Sequence, residues 1–236
     1  MNRQFLKDNW PMLILMGITA IGITVTGILF HQSFLRILPL YISLTIALLQ
    51  SRVIRYAPLI GGINSVLYCM VFLYYHLYGS AAYALLVSCP VQIATFIRWS
   101  RHKWGSTTIF RRMNRKQRWL TVLGFGGALL LLWLVLSLTD ANYVLLDSTI
   151  TMLGILISFL TMFAYIEYTG LMLVSGTVSI ILYLTMIQDT PEQITYLVYT
   201  LYSFVCSCLA FVRVRKMYVK QQDEEKTMNG KQICEE

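Results

Sequence analysis

If the apolar stretches of this chain cross a bilayer one after another, 18 of its 19 lysines and arginines fall on the same side. The stretches lie at about 11–30, 35–50, 58–77, 79–97, 119–138, 147–164, 168–187 and 193–212. Most approach the roughly 20 residues that a spanning helix needs, and the second is short. Arg3 and Lys7 precede the first; Arg52 and Arg55 lie between the second and third. Eight cations from Arg98 to Arg118 follow the fourth, and six from Arg213 to Lys231 follow the eighth, which leaves Arg36 alone on the other side. Cationic loops resist translocation, so this alternation predicts a multi-pass protein of the cell (inner) membrane with both termini cytoplasmic.

Composition agrees, with 57% hydrophobic residues, 13% charged and a mean hydropathy of +0.62. A soluble domain of 236 residues cannot hide that much apolar surface, so lipid is the expected solvent. The formal charge of +8 sits in loops beside helices without a recognition motif, which argues against a nucleic-acid partner and for anionic headgroups. Cys69, Cys89, Cys206 and Cys208 lie inside apolar segments and Cys234 in the tail, so they suit small buried residues better than disulfides or zinc ligands. No metal or other cofactor is expected. Phosphate loops, nucleophile elbows and zinc-protease motifs are missing from the sequence, and His31, His76 and His102 are scattered, so no enzyme activity is expected.

The N-terminal run from Pro11 to Phe30 is long for a signal peptide and a second crossing follows at once, which predicts a retained helix. Beyond Lys216 the polar, mixed-charge stretch Gln221–Lys226 predicts a mobile cytoplasmic tail. An offset of 115 residues places Leu67-Tyr68 on Leu182-Tyr183 and Phe96-Ile97-Arg98 on Phe211-Val212-Arg213. Two triplets of helices with one linking helix follow, because an offset of four crossings preserves direction through the membrane. Parallel repeats of this sort build SWEET-like transporters, whose sites lie between the repeats. The expected fold is all-α, with a 3 + 1 + 3 core and one additional N-terminal helix. Its parts are 1–34 (cytoplasmic segment and extra helix), 35–99 (first triplet), 100–118 (basic loop), 119–146 (linking helix and outer loop), 147–216 (second triplet) and 217–236 (tail). Asp147 and Glu167 fall at the ends of the sixth crossing and no carboxylate is central, which favours passive flux over ion coupling.

The run Tyr78-Gly79-Ser80, then Pro90-Val91-Gln92-Ile93-Ala94-Thr95-Phe96-Ile97-Arg98-Trp99, resembles the PnuC-type vitamin and nucleoside transporters and their pattern Y-G, then P-x-Q-x-x-G-W-x-x-W. Gly61-Gly62-Ile63-Asn64-Ser65-Val66-Leu67-Tyr68 is similar to that family's G-x-x-N-x-x-x-Y helix. Arg111-Arg112-Met113 with Lys116-Gln117, and Leu146-Asp147-Ser148, extend the likeness over about 35–216. The chain departs from the pattern at Thr95 and Phe96, and around Glu167, Thr169, Met172 and Gly176, where two Trp and one Asn are replaced.

The resemblance implies uptake of a small aromatic vitamin precursor or nucleoside, nicotinamide riboside-like, by facilitated diffusion. A cytoplasmic kinase would trap the product, and a homo-oligomer is compatible with it. Asn64, Tyr68, Gln92, Phe96, Trp99, Thr169 and Met172 are the candidate substrate contacts. Gln92 offers both a donor and an acceptor, Phe96 and Trp99 share a helix face for stacking, and Asn64 with Tyr68 suits a ribose. Plainer roles compete with these: Gln92 and the Asn64–Tyr68 pair as ties between helices, Trp99 as an interfacial anchor, Phe96 as a lipid-facing ring. Competing functions are a vitamin-binding membrane subunit of an ATP-driven importer and a non-transporting receptor or scaffold.

Overall fold

The computed structural model describes residues 3–74, 84–138 and 143–234. Eight α-helices carry them: α1 (Arg3–Leu29), α2 (Phe34–Ser51), α3 (Ala57–Tyr74), α4 (Cys89–Arg101), α5 (Arg115–Ser137), α6 (Val144–Met162), α7 (Tyr168–Asp189) and α8 (Ile194–Cys234). A π-helical turn, Ala84–Ser88, leads into α4, and a two-stranded hairpin, β1 (Lys103–Trp104) with β2 (Thr107–Thr108), follows it. Within the described residues six helices are long and apolar enough to cross a membrane, and Ala57–Met70 is a shorter apolar helix. The protein is an all-α, polytopic membrane protein. The Tyr78-Gly79-Ser80 motif lies outside the described residues.

Packing proceeds in series through α2, α3 and α4, and again through α6, α7 and α8. The two series are joined where α2 meets α8 and α4 meets α6. Helix α1 leans on α8 and α2, burying Met12, Thr19 and Ile23 while Ile14, Ile18, Ile21 and Ile28 face outward. Helix α5 leans on α6, and no residue of its apolar window is buried; Leu120, Leu123 and Leu131 are among its exposed side chains. Apolar side chains outside and none buried inside mark a helix solvated by lipid on most of its circumference.

Two helix ends set the geometry of the interior. After α2, Ile54 N donates to Leu49 O (3.1 Å) and Val53 N to Gln50 O (2.9 Å). After α6, Tyr165 N donates to Leu160 O (3.0 Å) and Ala164 N to Thr161 O (3.0 Å). Both are Schellman closures, which satisfy the last carbonyls by turning one residue left-handed. Those residues are Val53 (φ +57°) and Ala164 (φ +56°), neither of them glycine. They are buried in one cluster with Trp99, Phe110, Met113, Leu160, Tyr168 and Val214, where burial holds a conformation that a free chain would avoid.

The basic loop is folded into this cluster. Arg111 N donates to Ala164 O (2.9 Å) and Ile166 N to Arg111 O (3.0 Å), so the loop pairs with the α6–α7 turn. Beyond Lys216, where the sequence reading expects a mobile tail, α8 continues as helix to Cys234. Its side chains have specific partners: Gln221 accepts from Phe110 N (3.0 Å) and donates to Thr108 O (2.9 Å), and Trp104 Nε1 donates to Glu224 (3.0 Å). Composition showed a polar stretch without an apolar face; the hairpin supplies polar partners instead.

Candidate binding cavity

A cavity of about 570 Å³ lies between the two helix series. Helices α2, α3, α4, α6, α7 and α8 or the turns that follow them line it, and no described residue of α1 or α5 is among the lining. Helical spacing brings each lining set to one face. On α7 these are Tyr168, Met172, Ser175, Gly176, Ser179 and Tyr183; on α8, Tyr196, Tyr199, Thr200, Ser203 and Ser207. Helix α6 adds Gly154, Ile157, Ser158 and Thr161, and α4 adds Val91, Gln92, Thr95 and Trp99. Five tyrosines and a band of serine and threonine hydroxyls thus surround the space. No Asp, Glu, Lys, Arg or His is among the described lining residues.

Gln92 is oriented by its neighbours. Its Nε2 donates to Ser65 Oγ (2.9 Å) and Ser88 Oγ (3.1 Å). Ser65 gives its own proton to Gly61 O (3.0 Å), so in the 2.8 Å contact between the two serines Ser88 is the donor. Both serine protons are then committed, and only the NH2 end of Gln92 can face them. Its Oε1 accepts no hydrogen bond among the described residues. The amide lies across Gly61, where an added Cβ would stand 1.7 Å from Oε1. Glycine at 61 is therefore what lets α4 present this side chain.

Tyr68 lines the cavity from α3, near Ser43, and Met172 lines it from α7. Trp99 also borders it, but it is 3% exposed, donates Nε1–H to Thr161 O (2.8 Å) and meets Phe110 edge-on at 6.2 Å. It is a buried joint between α4 and α6 rather than an interfacial anchor. The other three candidates are outside the lining. Asn64 is buried and donates to Ser43 Oγ (3.0 Å) and Pro39 O (3.4 Å), tying α3 to α2. Phe96 packs on Tyr56 with ring centroids 5.7 Å apart. Thr169, 1% exposed, returns its hydroxyl to Ile166 O (2.8 Å).

Several lining residues were not singled out from sequence. Tyr183 stacks on Tyr196 at 5.9 Å and 15°. The 115-residue offset pairs Tyr183 with Tyr68, and the spacing of Tyr196, Tyr199, Ser203 and Ser207 along α8 is a visible one-face signal. Ser175 and Ser179 hydrogen-bond to no protein group among the described residues. Beside Tyr196, Arg36 donates to its hydroxyl (3.1 Å) and pairs with Glu192 (3.4 Å), so the unmatched cation of the sequence has a carboxylate partner.

The family described as nicotinamide mononucleotide transporter matches residues 33–212. Among solved structures, a crystal structure of the vitamin B3 transporter PnuC aligns with a TM-score of 0.71 at 20% sequence identity, over 89% of this chain and 90% of that one. That likeness extends to the fold. Comparison with curated proteins gives no match.

Proposed function

The chain belongs to the nicotinamide mononucleotide transporter family, and from that premise we propose that it carries a nucleoside-type vitamin precursor, nicotinamide riboside-like, down its gradient across the cell membrane. The observation that supports this is the uncharged, tyrosine- and hydroxyl-lined cavity between the two helix series. Tyrosine faces suit a flat or cationic pyridine ring, and hydroxyls suit a ribose. Gln92 Oε1 is an acceptor for a carboxamide N–H. The substrate is the nucleoside rather than its phosphate, because a phosphate would enter without a cation to pair with it, and an unpaired buried charge is heavily penalised. Flux is uncoupled, since no carboxylate is among the cavity's described lining residues to take a proton. The basic loop and the end of α8 are cytoplasmic, and a cytoplasmic kinase retains the product.

Purified protein in liposomes, loaded with unlabelled nicotinamide riboside, should exchange it for labelled nicotinamide riboside at a rate unaffected by a proton ionophore. Nicotinamide mononucleotide, thiamine and riboflavin should compete poorly. Equal exchange of the mononucleotide would overturn the neutral-site reading, and concentrative uptake driven by a pH or sodium step would overturn uniport. With kinase absent, the internal concentration should level at the external one.

A further inference from the structure

A second cavity, of about 760 Å³, lies outside the first, between α5, α6, α7 and α8 at the end where the basic loop folds. Its walls are apolar, including Val122, Phe125, Leu153, Leu156 and Phe211, and its rim carries Arg112, Arg118 and Arg215. Arg118 is committed to Glu167 (2.9 Å). Arg215 lies over Phe211 with its guanidinium 4.1 Å from the ring centroid, and Arg112 has no ion pair or hydrogen bond among the described residues. Both are exposed. An apolar trough that ends in two cations without an anionic partner among the described residues, beside a helix solvated by lipid, has the polarity of a phospholipid standing in its own leaflet.

We propose that this groove is a specific site for an anionic phospholipid, with an acyl chain against Phe125 and Leu156 and the headgroup phosphate between Arg112 and Arg215. A soluble phosphate compound would use the rim and leave the walls wet, so the apolar length of the groove selects a lipid. The lipid would brace α5, which otherwise packs mainly on α6, against α8.

Native mass spectrometry of the full-length protein, titrated with phosphatidylglycerol or phosphatidylcholine, tests the assignment. Phosphatidylglycerol should bind in preference, and each arginine should contribute about fivefold, as for a cation near an anionic surface. Arg112→Ala with Arg215→Ala should then weaken phosphatidylglycerol about 25-fold and phosphatidylcholine, whose choline offsets the charge of its phosphate, by less, so that the preference is lost. Arg101→Ala, an exposed cation at the end of α4, should alter neither. Gly170→Leu is the second variant, because a Cβ there meets Phe211 at an ordinary 3.9 Å and the remaining side chain fills the trough while every arginine stays. It should also lose the preference. Retained preference in either variant, equal binding of the two lipids, or displacement by glycerol phosphate at lipid-equivalent concentration would each overturn a lipid site.

Discussion

Helices α2 and α6 end with the same backbone device, and opposite triplets cap them with different chemistry. Arg213 of α8 donates to Ser51 O (2.8 Å) at the end of α2, whereas Trp99 of α4 donates to Thr161 O (2.8 Å) at the end of α6. The third helix of each triplet thus closes the first helix of the other. A guanidinium at a helix C-terminus gains from the helix dipole as well as the hydrogen bond. An indole gains mostly from burial. The contrast continues into the cavity: Gln92 on the first triplet is fixed by Ser65 and Ser88, while Ser175 and Ser179 on the second have no protein partner among the described residues. One half ties its polar group into protein hydrogen bonds, and the other leaves two hydroxyls open to the cavity.

The largest effect should come from the apolar joint. Trp99→Ala removes a nearly fully buried ring and should cost about 3–5 kcal/mol of stability, measured by unfolding in detergent. Trp99→Phe keeps most of the packing and loses only the bond to Thr161, about 0.5–1.5 kcal/mol. Arg213→Met should fall between, at about 1.5–3 kcal/mol for a hydrogen bond to a charged group. If Trp99→Ala instead left stability intact and lowered substrate affinity alone, the indole would be a stacking platform and the comparison of joints would fail.

Next in size is the orienting amide. Gln92→Leu should weaken substrate binding by about 1–3 kcal/mol, the cost of stranding a buried polar group of the ligand. Gly61→Ala should weaken it as well without touching the ligand, since the new methyl displaces Oε1. Isothermal titration against nicotinamide riboside reads both. Equal affinity in Gly61→Ala and the parent protein would show that Gln92 does not need its present orientation.

How far these roles were legible follows from how local they are. Crossing number and the expected side of the cations depend on runs of residues, and a run is visible in a sequence. The membership of Gln92, Trp99, Tyr68 and Met172 in the cavity wall was accessible through their match to the family's motif positions. The commitment of a polar group was not, because it depends on what lies opposite: the Asn64 amide NH2 is engaged by Ser43 and Pro39 of α2, 21 and 25 residues away. The α8 tail misled for the same reason. Its polar residues look solvated until the hairpin at 103–108 is placed against Gln221 and Glu224.

The hydroxyl pair separates recognition from scaffold more cleanly. Ser175→Ala with Ser179→Ala should leave stability within about 0.5 kcal/mol, as for substitutions that break no protein interaction. Substrate binding should weaken by about 0.5–1.5 kcal/mol for each hydroxyl that meets the ligand. In the first triplet the pattern should invert, with Ser65→Ala lowering stability because Gln92, Ser88 and Gly61 all lose a partner. Unchanged affinity in the double serine variant, measured by the same titration, would remove the second triplet from recognition.

The smallest difference lies at the two left-handed residues, where strain relief and lost burial oppose each other. A left-handed conformation costs a residue with a Cβ about 1–2 kcal/mol relative to glycine's freedom. Ala164→Gly removes one buried methyl, worth about 0.8 kcal/mol, so its stability should change by less than about 1 kcal/mol and in the stabilising direction. Val53 is 1% exposed and loses a whole side chain on substitution by glycine, a burial term of about 1.5–3 kcal/mol before any cavity forms. Val53→Gly should therefore destabilise where Ala164→Gly does not. Unfolding midpoints for the two variants, compared with Val53→Ala as the intermediate case, decide it: if Val53→Gly proved the more stable of the two, backbone strain rather than packing would govern the junction where the two triplets meet.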